Sequence, residues 1–410
     1  MNIFRISWKY ISARPLNTLL NVFLFGLGVS IIVSLMLFAH QLENKLEKNI
    51  SGIDLVVGAK GSPLQLILCN IFHLDFPTGN IPLAEAEKLA GTRFVKEAIP
   101  LALGDSHRGF RIVGTNKKYP ALYGATLAQG VWWTKEMEVV VGANVARQMG
   151  WAPGDTFEGQ HGLDAAGGHH EDQPYRVVGV MDPTGTAPDN LILTSVPGVW
   201  AVHGEGERTD SIVAEKPSRL IPGILLAENE SREITSLLIQ YRNPMAAIQL
   251  PRIVNTQTPM QAASPAFETA RLFSLLGSGL KVAHGLAYVI VFVAALSVFI
   301  ALYNSMKDRR YDLAIMRAMG ASRIKLFTSV VLEGMIISIL GGTLGVLMGH
   351  GMLEVIGLQL EEARKSGITG LFWINAELWI AAGALAIGGL SALIPALHVM
   401  RVDISKVLAE

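Results

Sequence analysis

Four stretches of the chain are almost purely apolar: Leu16–Ala39, Val282–Tyr303, Leu326–Leu353 and Phe372–Met400. A bilayer core takes about 20 apolar residues in a helix, so each stretch predicts a transmembrane helix. Interruptions are few: Glu333 and His350 in the third stretch, and Glu377 near the start of the fourth. A cleaved signal peptide is the rival reading of the first. A signal core spans only about 7–15 residues before a small-x-small cleavage site. This stretch is longer and passes into "LFAHQLENK", which favours a retained span.

The segments around the apolar stretches read differently. In residues 1–15, Phe4, Trp8 and Ile11 fall on one helical face, and Arg5, Lys9 and Ser12 on the adjacent one. That pattern predicts an interfacial amphipathic helix, broken at Pro15. Residues 40–281 switch to short runs rich in Val, Ile and Leu: "FRIVGTN", "MEVVVGANV", "YRVVGVMD", "NLILTS" and "SLLIQYR". These predict strands. "PLAEAEKLAG" and "GANVARQMGWAPGD" predict short helices ended by glycine. The fold class expected is an α-helical membrane protein with four transmembrane helices (16–39, 282–303, 326–353 and 372–400). A large mixed α/β extracytoplasmic domain, residues 40–281, is inserted between the first and second spans.

Composition agrees with a membrane protein. Half of the residues are hydrophobic and 17% are charged, against about 25% in soluble domains; mean hydropathy is +0.38. A formal net charge of zero argues against a nucleic-acid binder. A single cysteine, Cys69, excludes an intramolecular disulfide and a four-cysteine zinc site. Lys and Arg mark the cytoplasmic side of a membrane. They gather before the first span (Arg5, Lys9, Arg14), in the 304–325 connection, and after the fourth span (Arg401, Lys406). Both termini, the 401–410 tail and the 304–325 connection are therefore expected in the cytoplasm. The 40–281 domain and the short 354–371 loop are expected outside.

Two patterns invite a packing or nucleotide reading. Gly341, Gly345 and Gly349 recur at helical spacing in the third span, as do Gly388, Ala392 and Ala396 in the fourth. Small residues so spaced let helices approach closely, either within the chain or at a subunit interface. "DLVVGAKGSPLQ" resembles a phosphate loop only superficially. Pro63 stands where Gly-Lys-Ser/Thr would be needed, and no such motif occurs elsewhere, so the chain is not expected to hydrolyse ATP. Gly58 and Gly61 read as a turn leaving a strand. No G-x-S-x-G or HExxH motif is present, and no catalytic residue is predicted.

"GQHGLDAAGGHHEDQPYR" places His161, His169 and His170 among carboxylates in a glycine-rich loop. Imidazole and carboxylate suit zinc. The two readings are a solvated hairpin tip and a modest zinc site.

"SMKDRRYDLAIMRAMGASRIKLF", Ser305 to Phe327, carries six basic residues between two apolar spans. It could lie on anionic lipid or present a docking surface. The segment resembles the region after the second span in FtsX/MacB/LolC-type (type VII) permease subunits of ABC transporters, commonly R-x-E-I-A-[IV]-[LM]-[RK]-A-[LM]-G-A-[ST]. Asp312 stands at the usual Glu, while Arg317 to Ser322 match directly. "VLEGMIISILGGTLGVLMG" is similar to the family's third span, and "ALIPALHVMRVDISKVLAE" to its ending, with Ile404 at the usual Pro. "VVVGANVARQMGWAPGDTF" and "YRVVGVMDPTG" resemble a MacB-like periplasmic domain.

The resemblance implies that 304–325 is a coupling helix docking on a separate ATP-binding subunit through Arg309, Arg310, Asp312, Ile315, Arg317, Met319, Gly320 and Ala321. It further implies a second permease subunit, identical or not, and a bacterial inner-membrane location with a periplasmic domain. ATP and Mg would be held by the partner and none by this chain. A periplasmic or outer-membrane partner and membrane lipid complete the expected partners, with no nucleic acid among them. The function implied is ATP-driven movement of the outer domain for export, extraction or release of a substrate. The alternatives are a transmembrane regulator of a periplasmic partner and a zinc-linked transport component.

Overall fold

The computed structural model describes residues 3–13, 15–161, 174–202, 216–226, 232–359 and 367–400. The chain divides into two compact units: residues 1–42 with 275–410, and residues 43–274. Among the described residues, four helices are long and apolar enough to cross a membrane.

The first unit opens with α1 (Ile3–Ala13) and α2 (Pro15–Ile50). Pro15 sits at the first position of α2, where its missing N–H costs nothing. The Thr18 hydroxyl donates to the Ile11 carbonyl at 3.0 Å, satisfying an acceptor left by the end of α1. The faces of α1 differ from those expected. Phe4 and Trp8 point outward, but Ile11 is turned inward together with Ser7, which is fully buried. Ser7 lies inside because its hydroxyl meets the Ser329 hydroxyl at 2.9 Å.

The second unit is a mixed sheet covered on both faces. Its described strands are β1 (Leu55–Ala59), β2 (Ile81–Pro82), β3 (Val95–His107), β4 (Phe110–Thr115), β5 (Leu127–Gly130), β6 (Glu138–Val141), β7 (Thr156–Phe157), β8 (Gln160–His161), β9 (Tyr175–Met181), β10 (Leu191–Ser195), β11 (Lys216–Pro217), β12 (Leu225–Leu226), β13 (Glu233–Ile234), β14 (Ser236–Tyr241) and β15 (Met260–Ala263). The main sheet runs β15-β1-β14-β3-β4-β10-β6-β9-β5. Its helices are α3 (Pro63–Asn70), α4 (Leu83–Ala90), α5 (Lys118–Leu122), α6 (Ala143–Met149), α7 (Val196–Val202) and α8 (Pro244–Gln257).

Successive strand residues point to opposite faces, and here both faces meet a core. Leu55, Val57, Leu237 and Ile239 pack in one cluster with α4, α7 and α8 residues such as Leu89, Trp200 and Leu250. Val56 and Leu238 pack in the other with Leu66 and Ile67 of α3. Burial on both sides explains why the strands read as continuous apolar runs.

All five strand segments read from the sequence form strands. The thirteen-residue β3 was not visible as one. It contains Pro100 and Gly104, and its register against β4 shifts between Leu103 and Ser106, so alternation fails there. Gly58 is a correction: it lies inside β1 rather than in the turn that follows. An added Cβ would sit 2.5 Å from Leu66, so its bareness lets α3 close onto the strand.

The first unit resumes with α9 (Pro265–Asp308), α10 (Arg310–Ala318), α11 (Arg323–Gln359) and α12 (Glu377–Met400). The helices outrun the apolar stretches. At 1.5 Å per residue, α2 and α9 are about 54 and 66 Å long. Polar residues such as Gln41 to Lys48 continue a helix as readily as apolar ones. In contrast, α12 starts at Glu377, after the expected Phe372. The Glu377 carboxylate accepts the Ile374 N–H at 3.0 Å, a capping arrangement that sets the helix start there.

Candidate functional site

The segment between α9 and α11 is built by two breaks. The backbone leaves helical geometry at Arg309, with φ −104° and ψ 14°, and α10 begins at the next residue. It ends where Gly320 adopts φ +96°, a conformation open to glycine without a Cβ penalty. The Ala321 N–H returns to the Met316 carbonyl at 3.0 Å and the Gly320 N–H to that of Arg317 at 3.0 Å, closing the end of α10. The Ser322 hydroxyl accepts the Lys325 N–H and starts α11.

The nine-residue α10 has two faces. Leu313 is buried with Met306, Leu326, Val330 and Ala396, and Ala314 is fully buried as well. Met316 and Ala321 pack against that cluster. Tyr311 of α10 and Met319 at its end are 59% and 72% exposed, and Ile324 in the first turn of α11 is 70% exposed. Asp312 and Gly320 are exposed, and Ile315 and Arg317 half-buried. Tyr311 and Ile324 were not singled out from the sequence, because an apolar residue in a short helix or at the start of a long one does not by itself say whether it faces in or out. Arg310 opens the helix, and its side chain lies outside the described set.

Arg309 differs from its expected role. Its guanidinium faces inward and holds Glu333 of α11 with two contacts of 3.2 and 3.0 Å. Its Nε donates to the Ser305 carbonyl at 3.1 Å. The same guanidinium lies 3.9 Å from the Tyr10 ring centroid of α1. Glu333 is buried and Arg309 largely so, their side chains 5% and 15% exposed. A buried charge is tolerated when paired and bonded in this way, and the planar fork supplies two parallel bonds at once. Arg309 therefore ties α1, α9 and α11 together at the root of α10 and is not available on its outer surface. Glu333 was visible in the sequence as an interruption; its partner, 24 residues earlier, was not.

The two small-residue stripes go to different neighbours within the unit. An added Cβ at Gly345 would lie 2.6 Å from Val29 Cβ and 2.7 Å from the Gly26 carbonyl of α2. Gly341 and Gly349 likewise meet Phe25 and Val33. Gly388 and Ala392 instead face Gly334 and Ser338 of α11, where a Cβ on Gly334 would lie 2.7 Å from Ala392 Cβ.

At the far end of α11 a polar network joins α2, α11 and α12. Gln41 exchanges two bonds with the Thr369 backbone, at 2.8 and 3.0 Å. Glu354 accepts the Thr369 hydroxyl and the Gly370 N–H at 2.7 and 2.8 Å. His350 Nε2 meets Glu377 at 2.9 Å. Glu333, His350 and Glu377 are thus all paired.

Of the three histidines of the loop, only His161 is described, by its backbone in β8. His169 and His170 lie outside the described residues. Among the described residues, no group of three or more His, Cys, Asp or Glu side chains is arranged to hold a metal ion.

Comparison with known proteins gives two family matches. Residues 18–224 match the MacB-like periplasmic core domain, and residues 285–404 match the FtsX-like permease C-terminal domain. The chain belongs to the FtsX/MacB-type family of ABC permeases. It is similar to the macrolide export ATP-binding/permease protein MacB of Wolinella succinogenes, at 22% identity over 99% of this chain and 60% of that protein. It is also similar to the protein of the same name from Azoarcus sp., at 26% identity over 45% of this chain and 26% of that one. The chain thus spans about 60% or less of the length of these relatives. Among solved structures, the periplasmic region of MacB from Actinobacillus actinomycetemcomitans aligns with a TM-score of 0.35. The identity is 13%, over 56% of this chain and 97% of that one. With its four apolar helices and MacB-type domain, this family member is a multi-pass membrane protein. The FtsX-like match includes α10 and its inward-facing Arg309.

Proposed function

We propose that this chain is the transmembrane subunit of an ABC transporter in which ATP binding and hydrolysis by a partner subunit drive movement of the MacB-type domain. The observation that carries the reading is α10. It is a short helix in a basic segment, anchored by Arg309 and Leu313, with Tyr311 and Met319 exposed on it and Ile324 exposed at the start of α11. An anchored helix with unpaired apolar side chains suits force transfer from a docked partner. Asp312, Ile315, Arg317, Gly320 and Ala321 complete the docking surface, and Arg309 transmits motion into α11.

ATP and Mg belong to the partner, since this sequence carries no phosphate-loop lysine motif. Both termini and the 304–325 connection lie in the cytoplasm of a bacterium, and residues 40–281 form a periplasmic domain between the first and second spans. Two permease subunits pair in the inner membrane. The relatives are named for macrolide export, which favours export or release of a substrate on the outer side, with a periplasmic or outer-membrane partner. The 159–176 loop is a candidate zinc ligand set.

Tyr311→Asp with Met319→Asp tests the docking surface. Both side chains are exposed, so folding should change by no more than about 0.5 kcal/mol per site. Co-purification with the ATP-binding partner and stimulated ATPase activity should be lost. Unchanged association would overturn the assignment.

A further inference from the structure

The α/β unit carries a cleft that the coupling reading does not use. It lies where two parallel strands end: Thr115 of β4 and Ser195 of β10 are paired in register, and both line it. In open α/β sheets, ligands sit outside the carboxyl ends of parallel strands, where neighbouring connections diverge. Here the chain leaves into α5 after Thr115 and into α7 after Ser195. The Trp133–Glu136 loop and the Arg219–Ile224 turn wall the gap. Its volume is about 600 Å³, inside the range of roughly 300–1,000 Å³ typical of small-molecule sites.

The lining is of two kinds. Trp133, Leu220 and Ile221 are buried apolar side chains. Lys117, Lys135 and Arg219 are exposed cations around them. Among the described residues none of the three is ion-paired, whereas Lys118, also at the cleft, is bound to Glu97. Glu136 is the acidic side chain at the rim. The walls are held before any ligand arrives. The Asn116 amide donates to the Leu220 carbonyl at 3.0 Å. The Glu87 carboxylate accepts the N–H groups of Arg219 and Leu220 at 3.0 and 3.1 Å. Pre-organisation of this kind lowers the cost of binding.

We propose that this cleft binds a small organic anion with an apolar body. The apolar part lies over Trp133 and Ile221, and the carboxylate, sulfonate or phosphate group sits among Lys117, Lys135 and Arg219. Because those cations are exposed, affinity is salt-sensitive. The site lies within the α/β unit and does not depend on which partner moves that unit.

The test uses the full chain in nanodiscs of neutral lipid, with empty nanodiscs as the blank and naphthalene-2-sulfonate as the calorimetric probe. Uncharged 2-naphthalenemethanol and inorganic sulfate separate the apolar and anionic contributions. The probe should bind at least about tenfold more tightly than either control. Lys117→Glu with Arg219→Glu should weaken it by about tenfold or more while leaving thermal unfolding unchanged. Lys135→Gln provides a milder variant with a smaller loss in the same direction. Equal affinity in the charge-reversed protein, equal affinity for either control, or no binding of the probe would overturn the proposal.

Discussion

Gly345 in the membrane unit and Leu238 in the α/β unit are both buried, by opposite means. Leu238 fills space between the sheet and α3. Gly345 is buried because it has no side chain, which lets α2 and α11 approach closely enough for Val29 to occupy its Cβ position. In water, burying apolar surface contributes about 25 cal/mol per Å². Between helices in lipid that drive is absent, and close backbone approach with a few polar ties must replace it. The membrane unit accordingly ties buried carboxylates to basic partners at Arg309–Glu333 and His350–Glu377, while the sheet is sealed by Val, Ile and Leu on both faces.

The largest test of this contrast is at Arg309. Arg309→Ala leaves the Glu333 carboxylate buried without its partner and should cost about 3–5 kcal/mol. Arg309→Met with Glu333→Leu removes both charges and should recover most of that loss. The measurement is denaturant unfolding in detergent; a double variant as unstable as the single one would break the argument that the pair is an internal tie. The double variant also separates folding from coupling, since it should fold yet transmit poorly from α10.

Truncation and filling come next. Leu238→Ala should destabilise the α/β unit by about 2–5 kcal/mol, through lost transfer energy and a residual cavity. Gly345→Ala adds only a methyl group, yet should destabilise the membrane unit by about 1–3 kcal/mol through overpacking. A stabilised Gly345→Ala protein would show that α2 and α11 are not held by close approach.

The smallest expected effect is a pH dependence confined to the α/β unit. Burial, aided by the Arg111 charge, lowers the His73 imidazole to about 3. Above about pH 6.5 the ring is neutral in both folded and unfolded chains, so it adds no pH dependence. Below that, the unfolded chain takes up a proton that the folded one refuses. Stability therefore falls from about pH 6.5 towards 3, by about 1.4 kcal/mol at pH 5.5. His73 has φ +55°, which asparagine tolerates, so His73→Asn should fold and flatten this part of the profile. Unfolding midpoints between pH 7 and 5 that shift equally in both proteins would remove His73 as the source.

The four long helices, the five strand segments, the helices ended by Gly91 and Gly150, and the family of the Ser305–Phe327 segment were legible because each depends on local pattern. Apolar runs, turn glycines and a short motif survive in one dimension. The partner of Glu333, the inward turn of Ser7 and the course of β3 were not legible. Each depends on residues far apart in the chain: Arg309 with Glu333, Ser7 with Ser329, and β3 with β4 and β14.

The amino-acid order by itself determined which stretches are apolar enough for lipid, where the basic connection lies between two of them, and which residues form an α/β unit. Hydropathy, periodicity and charge are properties of neighbours along the chain, and they need no knowledge of what packs against what. Only the tertiary structure decided that Arg309 turns inward while Tyr311, Met319 and Ile324 turn outward. It also decided that the Gly341 stripe meets α2 while Gly388 and Ala392 meet Gly334 and Ser338, nearer the start of α11, and that Lys117, Lys135 and Arg219 surround one cleft. A side chain's partner is set by the packing of whole elements, through close contacts and paired charges between positions the sequence keeps far apart.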